Sequence, residues 1–362
     1  MNSDKPDLHK EKYMAHNVID LHCDSVFSLM AGKDLRHPVS GVHVDLPRLQ
    51  KGRVKLQVFA AYVPADTDCS KAFAYAAERL DAISAFAMSH DSLAHVETAA
   101  ELKAILDTEK IGIMAAVENG LAIENSLEKL EQLRRRKVRI MTLVHSGHLP
   151  WAASCTGSGA FRPDSEYAAG CPVSGSAAAP GISSFGEKVI DAMNDLGIIP
   201  DLSHSSEDAF WDVLKRSKKP VIASHSCAWN LCAAARNLKD DQLKALGDSG
   251  GLAGVNFYSA FLSEPFRQVY EKEKNSPNSN DISQKVPHTV IADHIDYMVH
   301  IAGEDCVALG SDFDGIPAAP EGVTGSDFYP VLETELRTRG YTEKRIAKIF
   351  NGNFQRVLGE WD

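Results

Sequence analysis

Val18-Ile-Asp-Leu-His-Cys-Asp24 decides how this chain is read. A run that begins apolar and β-branched and ends in side chains able to bind metal or protons reads as a buried parallel strand opening on a site. Seven more runs share that design: Val54–Val63, Ile111–Gly120, Val138–His145, Ile198–His204, Pro220–Ser226, Gly251–Phe257 and Cys306–Gly315. Segments of helical period lie between them, at Cys69–Met88, Ser126–Arg136, Ser184–Leu196, Ser206–Arg216, Lys239–Gly247 and Thr289–Ala302. This alternation matches a closed (β/α)8 TIM-like barrel, with a doubly wound open sheet as the alternative. The strand ends favour the barrel, because catalytic groups in such barrels gather at the carboxyl ends of the strands. Here those ends carry His22 and Asp24, Glu118, His145, His204, His225, and Asp312 with Asp314.

A last helix, Thr342–Leu358, closes the chain. Two segments stand outside the alternation. Ala152–Gly181, rich in Gly, Ser, Ala and Pro, is long enough to form a rim or lid, and Glu264–Pro287 reads as a helical turn followed by a loop. The expectation is a single barrel domain over 1–362, with insertions near 152–181 and 264–287. A composition 44% hydrophobic and 24% charged excludes disorder and low-complexity scaffolds. With 38 basic against 49 acidic residues the net charge is −11, which argues against nucleic acid or anionic lipid as a partner. No run approaches the roughly 20 apolar residues that cross a bilayer, and neither end shows an apolar signal or anchor. A soluble, cytoplasmic protein without a membrane anchor is expected. Seven scattered cysteines without a C-x-x-C pair favour reduced thiols, although Cys155 and Cys171 share a loop and are candidates for a pairing.

In Asp20-Leu-His22-Cys-Asp24 the two-residue period of a strand sends Asp20, His22 and Asp24 to one face. His22 offers a ring nitrogen and Asp24 a carboxylate oxygen, donors that suit zinc, manganese or iron, while both aspartates also read as helix caps. Glu118 follows an apolar run and is costly to bury without a cation or donors. Its two oxygens can bridge two ions, and it equally reads as a cap. His204 and His225 end consecutive runs and together offer two neutral imidazoles to a shared metal, where either alone reads as a hydrogen-bonded structural residue. His145 is placed to donate to a developing oxyanion. Asp312, in Gly310-Ser-Asp-Phe-Asp-Gly315, can reach a metal-bound water or a substrate amine, whereas Asp314-Gly315 reads as an Asx turn. Arg236 suits bidentate pairing with a substrate carboxylate, or is an ordinary surface charge. His9, His37, His43, His90 and His95 read as solvated.

In this order and spacing, the set resembles the membrane dipeptidase (renal dipeptidase) family of zinc peptidases. The likeness runs from about Val18 to Leu358 and includes Asn256-Phe-Tyr258 and Asn351-Gly-Asn353-Phe. The resemblance implies two zinc ions per chain: His22 and Asp24 on one, His204 and His225 on the other, and Glu118 bridging both. It further implies that His145 faces the scissile carbonyl oxygen, Arg236 holds the substrate's terminal carboxylate, Asp312 meets the amine or relays a proton, and Tyr258 contacts the substrate. The implied reaction is attack of a metal-bridged hydroxide on a dipeptide's peptide carbonyl, with a D-residue tolerated at the carboxyl-terminal position, and a homodimer is implied. Two departures stand out. His22-Cys-Asp24 replaces the His-Asn-Asp of many relatives, and Cys232-Ala-Ala-Ala precedes Arg236 without a histidine. The alternatives are another binuclear amidohydrolase or lactonase, which usually begins H-x-H and often bridges with a carboxylated lysine, and a catalytically silent metal- or peptide-binding homologue. Glu118, His145 and Asp312 together argue against the silent form.

Overall fold

The computed structural model describes residues 15–157, 181–273 and 285–362. Nine strands appear there: β1 (Val18–Cys23), β2 (Val54–Tyr62), β3 (Leu93–His95), β4 (Ile111–Glu118), β5 (Val138–Thr142), β6 (Ile199–Asp201), β7 (Ile222–Ala223), β8 (Leu252–Val255) and β9 (Val307–Leu309). All pairings are parallel, in the order β2-β1-β9-β8-β7-β6-β5-β4, and β4 pairs back onto β2. The ring is therefore closed at eight strands, with helices around it: a (β/α)8 barrel. Closure rests on an unbroken register from Leu56↔Gly112 to Tyr62↔Glu118, which sets Tyr62 and Glu118 level at the mouth. The sequence reading missed β3, which pairs only with the start of β4 and lies outside the ring.

Two apolar layers hold the barrel. Ile19, Leu21, Leu56, Val58, Met114, Ile140, Ile199, Ile222 and Leu252 fill the interior, and Phe354, Val357 and Trp361 of the terminal helix pack onto the same cluster. The second layer lies between strands and helices. Some strands approach too closely for side chains: a Cβ at Gly310 would stand 1.7 Å from the Ser224 carbonyl oxygen. Helices start where hydroxyl caps predict, with Ser126, Ser183 and Ser206 accepting from the amides of Lys129, Gly186 and Ala209. The terminal helix is interrupted by a π turn at Lys348–Gly352, within Glu343–Glu360. Asn351 and Asn353 anchor it, donating to the carbonyls of Asn17 (2.8 Å), Glu304 (2.7 Å) and Val307 (2.8 Å).

Four expectations need correction. Asp20 does not share a face with His22 and Asp24. The β1–β2 register slips between Asp20 and Cys23, and this irregularity reverses the alternation. Leu21 still points into the barrel, whereas Asp20 turns outward to accept from the Ser311 hydroxyl (2.6 Å) and the Tyr329 hydroxyl (2.6 Å). His43 is not solvated: its Nδ1 accepts from the Asp314 amide (3.0 Å) and its ring stacks on Phe313. Cys155 is a free thiol, so the pairing with Cys171 is not made, and Cys171 lies outside the described residues. Cys69 is disulfide-bonded, against the expectation of reduced thiols throughout. Residues 158–180 of the expected lid and 274–284 of the second insertion also lie outside the described residues, while Glu264–Glu273 is helical. No helix among the described residues is long and apolar enough to cross a membrane.

Candidate metal centre

The strand ends converge on a cavity of about 460 Å³ lined by Asp24, Glu118, His145, His204, Arg236 and Asp312 among others. The β1 irregularity delivers His22 and Asp24 together, with His22 Nε2 3.5 Å from Asp24 Oδ2. Glu118, at the end of β4, presents its two oxygens in different directions. Oε2 lies 3.7 Å from His22 Nε2, while Oε1 lies 3.0 Å from His204 Nε2, 3.6 Å from His225 Nε2 and 3.7 Å from His145 Nε2. His204 and Asp312 sit at positive φ, 70° and 62°, strain that turns the chain just past β6 and β9 and aims their side chains inward.

The donors group into three overlapping sets, each with ligand atoms within 4.8 Å of one another: His22, Glu118 and His225; Glu118, His145 and His204; His22, Asp24 and Asp312. These sets cut across the pairing that the resemblance implies: the rings of His22 and His225 lie tilted at 3.9 Å between centroids, and those of His145 and His204 at 4.1 Å. A fourth set, His16, Glu333 and Glu343, is already neutralised by Arg53 and Arg337.

Charge at the mouth calls for cations. His22 Nε2 and Asp24 Oδ1 are buried without a hydrogen-bond partner. His204 Nε2 and His225 Nε2 face each other at 3.2 Å, a contact that needs a proton or a cation between the lone pairs. Burial pushes the Glu118 carboxyl up, partly offset by His22, and raises Asp312 to about 7 with the Asp24 charge adding to the rise. Burial would depress His22, yet the charges of Glu118, Asp24 and Asp312 outweigh it and lift the imidazole to about 10. His204 and His225 are held neutral, chiefly by burial, and His145 falls to about 3 through burial and the charges of Arg236 and His22. Three carboxylates and four imidazoles gathered at one mouth are a donor set that fits divalent metal.

Polar contacts hold these groups in place. The Ser224 hydroxyl lies 2.7 Å from His225 Nδ1 and donates to Asp201 Oδ2 at 2.6 Å, so His225 Nδ1 carries the proton and Nε2 is left for the centre. Asn256 donates to Asp312 Oδ2 at 2.8 Å. Asp314 turns away to accept from the Ser25 hydroxyl (2.5 Å) and the His43 amide (2.6 Å). Arg236 is buried, donates to the His225 carbonyl at 3.2 Å and lies over Phe261. Tyr258 lines the cavity against Phe261, and burial pushes its phenol up.

Sequence reasoning passed over Tyr62, whose hydroxyl lies 3.5 Å from His145 Nδ1, and Phe27, Phe261 and Ile316 in the cavity wall. Tyr62 was open to discovery as the penultimate residue of a named strand run. Gly315 was read only as a turn residue, yet a Cβ there would stand 2.1 Å from Asp24 Oδ2 and 2.6 Å from Asp312 Oδ1.

Fold and site together define a (β/α)8 barrel with a metal-ligand cluster at its carboxyl-terminal mouth. Residues 9–362 match the membrane dipeptidase family (peptidase family M19), and the chain belongs to it. It is 31% identical to Dipeptidase 3 of Mus musculus over 345 residues and 29% identical to Dipeptidase 3 of Rattus norvegicus over 343. In each case the match takes in 95% of this chain but 63% of the relative. Among solved structures, a dipeptidase described as a metallopeptidase of family M19 superposes with TM-score 0.80 at 25% identity, covering 96% of this chain and 99% of the other. A metallopeptidase from Rhodobacter sphaeroides, liganded with a phosphinate mimic of the dipeptide L-Ala-D-Ala, shares the fold at TM-score 0.81 and 24% identity, covering 96% and 100%.

Proposed function

We propose that the chain is a metal-dependent dipeptidase with two divalent ions, zinc for preference, at the barrel mouth. The observation that carries this reading is Glu118, buried between His22 on one oxygen and His204 and His225 on the other. His22 and Asp24 would hold one ion, His204 and His225 the second, and Glu118 both. Bound there, the pair would supply Lewis acidity toward the peptide carbonyl and a water of lowered pKa.

The protein's own groups do the rest. His145, fixed at Nδ1 by the Ser146 hydroxyl (3.1 Å) and Tyr62, turns Nε2 to the cavity and donates to the carbonyl oxygen as charge builds on it. Asp312, oriented by Asn256, faces the substrate with its free oxygen and carries a proton to the leaving amine. Arg236 holds the terminal carboxylate, and Tyr258 closes the wall beside it. Fixing both ends of the substrate restricts it to dipeptides. The family resemblance supports tolerance of a carboxyl-terminal D-residue, a single catalytic barrel over the whole chain and a homodimer.

Hydrolysis of L-Ala-L-Ala, L-Ala-D-Ala and a tripeptide, with and without chelator, tests the reading. Both dipeptides should be cleaved, the tripeptide spared and chelator should abolish turnover. Metal-loaded protein that turns over no dipeptide would sink it.

A further inference from the structure

Arg236 and the aromatic wall of the cavity, Tyr258 and Phe261, belong to two segments that leave different strands, residues 227–236 after β7 and residues 258–262 after β8. The contacts of the Arg236 side chain are long, 3.2 Å to the His225 carbonyl and 3.5 Å to the Ser226 hydroxyl, so its placement follows mainly from how its backbone is anchored. Asn237, the next residue, supplies that anchor. Its Oδ1 accepts from the Cys227 amide at 3.1 Å, at the start of the first segment, and its Nδ2 donates to the Cys232 carbonyl at 2.9 Å, midway along it. The other Nδ2 hydrogen crosses to the second segment, to the Phe261 carbonyl at 2.8 Å. His294 repeats the pattern one residue further on: the Ala228 amide donates to its Nδ1 at 3.1 Å, and its Nε2 donates to the Leu262 carbonyl at 3.0 Å. Two buried side chains thus join consecutive amides of one segment to consecutive carbonyls of the other, with the Arg236 guanidinium carbon 5.6 Å from the centre of the Phe261 ring.

We infer that Asn237 is a positioning residue for substrate binding: by tying residues 227–236 to Phe261 it fixes the guanidinium of Arg236 against the aromatic wall, and with it the place of the substrate's terminal carboxylate. Asn237 does not line the cavity and all three of its side-chain bonds go to backbone, so it acts through Arg236 and not on the substrate. The amide group is what the position requires. An aspartate would turn a carboxylate oxygen on the two carbonyls, and a serine hydroxyl is too short to span both segments. The inference rests on the reading of Arg236 as the carboxylate clamp.

Steady-state kinetics of the zinc-loaded protein on L-Ala-L-Ala, together with calorimetric binding of N-acetyl-L-alanine and N-acetyl-L-alaninamide, test it. Asn237→Asp should raise KM about tenfold while kcat stays within about twofold, and should remove most of the preference for the carboxylate over the amide, with zinc content unchanged. Asn237→Ser should move the same quantities and replaces the aspartate variant if that one does not fold. Arg236→Lys is the reference: it should act in the same direction, and the double variant should fall short of the product of the two single effects. A loss of kcat, zinc or Tm at parental KM and parental carboxylate preference would make the role of Asn237 structural only and overturn the proposal, as would single effects that multiply independently. If Arg236→Lys leaves KM and the carboxylate preference at parental values, the clamp reading fails first and the positioning role falls with it. The binding measurement needs no turnover, so it separates these outcomes even in a protein that cleaves no dipeptide.

Discussion

Replacing Gly315 by alanine separates the stability of the fold from the geometry of its mouth. The new Cβ would fall 2.1 Å from Asp24 Oδ2, 2.6 Å from Asp312 Oδ1 and 3.0 Å from Asp24 Cγ. Contacts of that kind are essentially never shorter than 3.0 Å, so the Asp24 carboxylate must retreat by about 0.9 Å. Both clashing atoms are tips of side chains, which can move more cheaply than backbone, and the expected loss of stability is at the low end of overpacking, about 1–2 kcal/mol. The functional loss should be far larger. A displacement near 1 Å at a reacting site costs about 100-fold in rate, and Asp24 and Asp312 would both move. Chemical denaturation, metal content after dialysis and dipeptide kcat/KM, measured side by side, test this. A variant that folds almost normally but loses about two orders of magnitude in kcat/KM, with weakened metal retention, fits. A variant with parental kcat/KM and metal content would show that the two carboxylates are not held against Gly315 for a purpose at the centre.

Glu118→Gln keeps the shape and removes the charge shared between His22 and the His204–His225 side; metal and activity should be lost together, and retention of both by elemental analysis and assay would show that Glu118 does not bridge. Ser224→Ala leaves His225 Nδ1 without its acceptor and should weaken metal affinity about 10- to 100-fold in a competitive chelator titration, with an unchanged affinity counting against the relay from Asp201. His294 accepts from the Ala228 amide at Nδ1 and lies 3.0 Å from the Leu262 carbonyl at Nε2, and burial depresses the imidazole to about 4. The unfolded chain takes up this proton below about pH 6.5 while the folded state resists until about pH 4, so stability is full above pH 6.5 and falls as pH drops through that window. Roughly 2 kcal/mol should be lost between pH 8 and pH 5, and His294→Gln should lose that share of the pH dependence in urea unfolding; an identical pH profile in the variant would contradict it.

The barrel was legible because each buried strand is an apolar run that stops at a polar residue, and those stops named His22, Asp24, Glu118, His145, His204, His225 and Asp312, which the structure brings to one mouth. What pattern could not supply was hydrogen-bond register. The slip between Asp20 and Cys23 leaves no mark in residue type, so strict alternation put Asp20 on the wrong face. Tyr62 escaped because aromatic residues fill strands for packing reasons, and only closure of β2 on β4 sets it level with Glu118. The short β3 and the π turn are tertiary consequences: Leu93–His95 pairs where the start of β4 is left uncovered, and Asn351 and Asn353 hold the terminal helix to strand ends distant in sequence.

Titrating metal-free protein with zinc while following dipeptide hydrolysis puts the two-ion centre to its most direct test. Activity should rise to a plateau at two equivalents per chain, with little turnover at one. A plateau at one equivalent, or full activity before any metal is added, would contradict it.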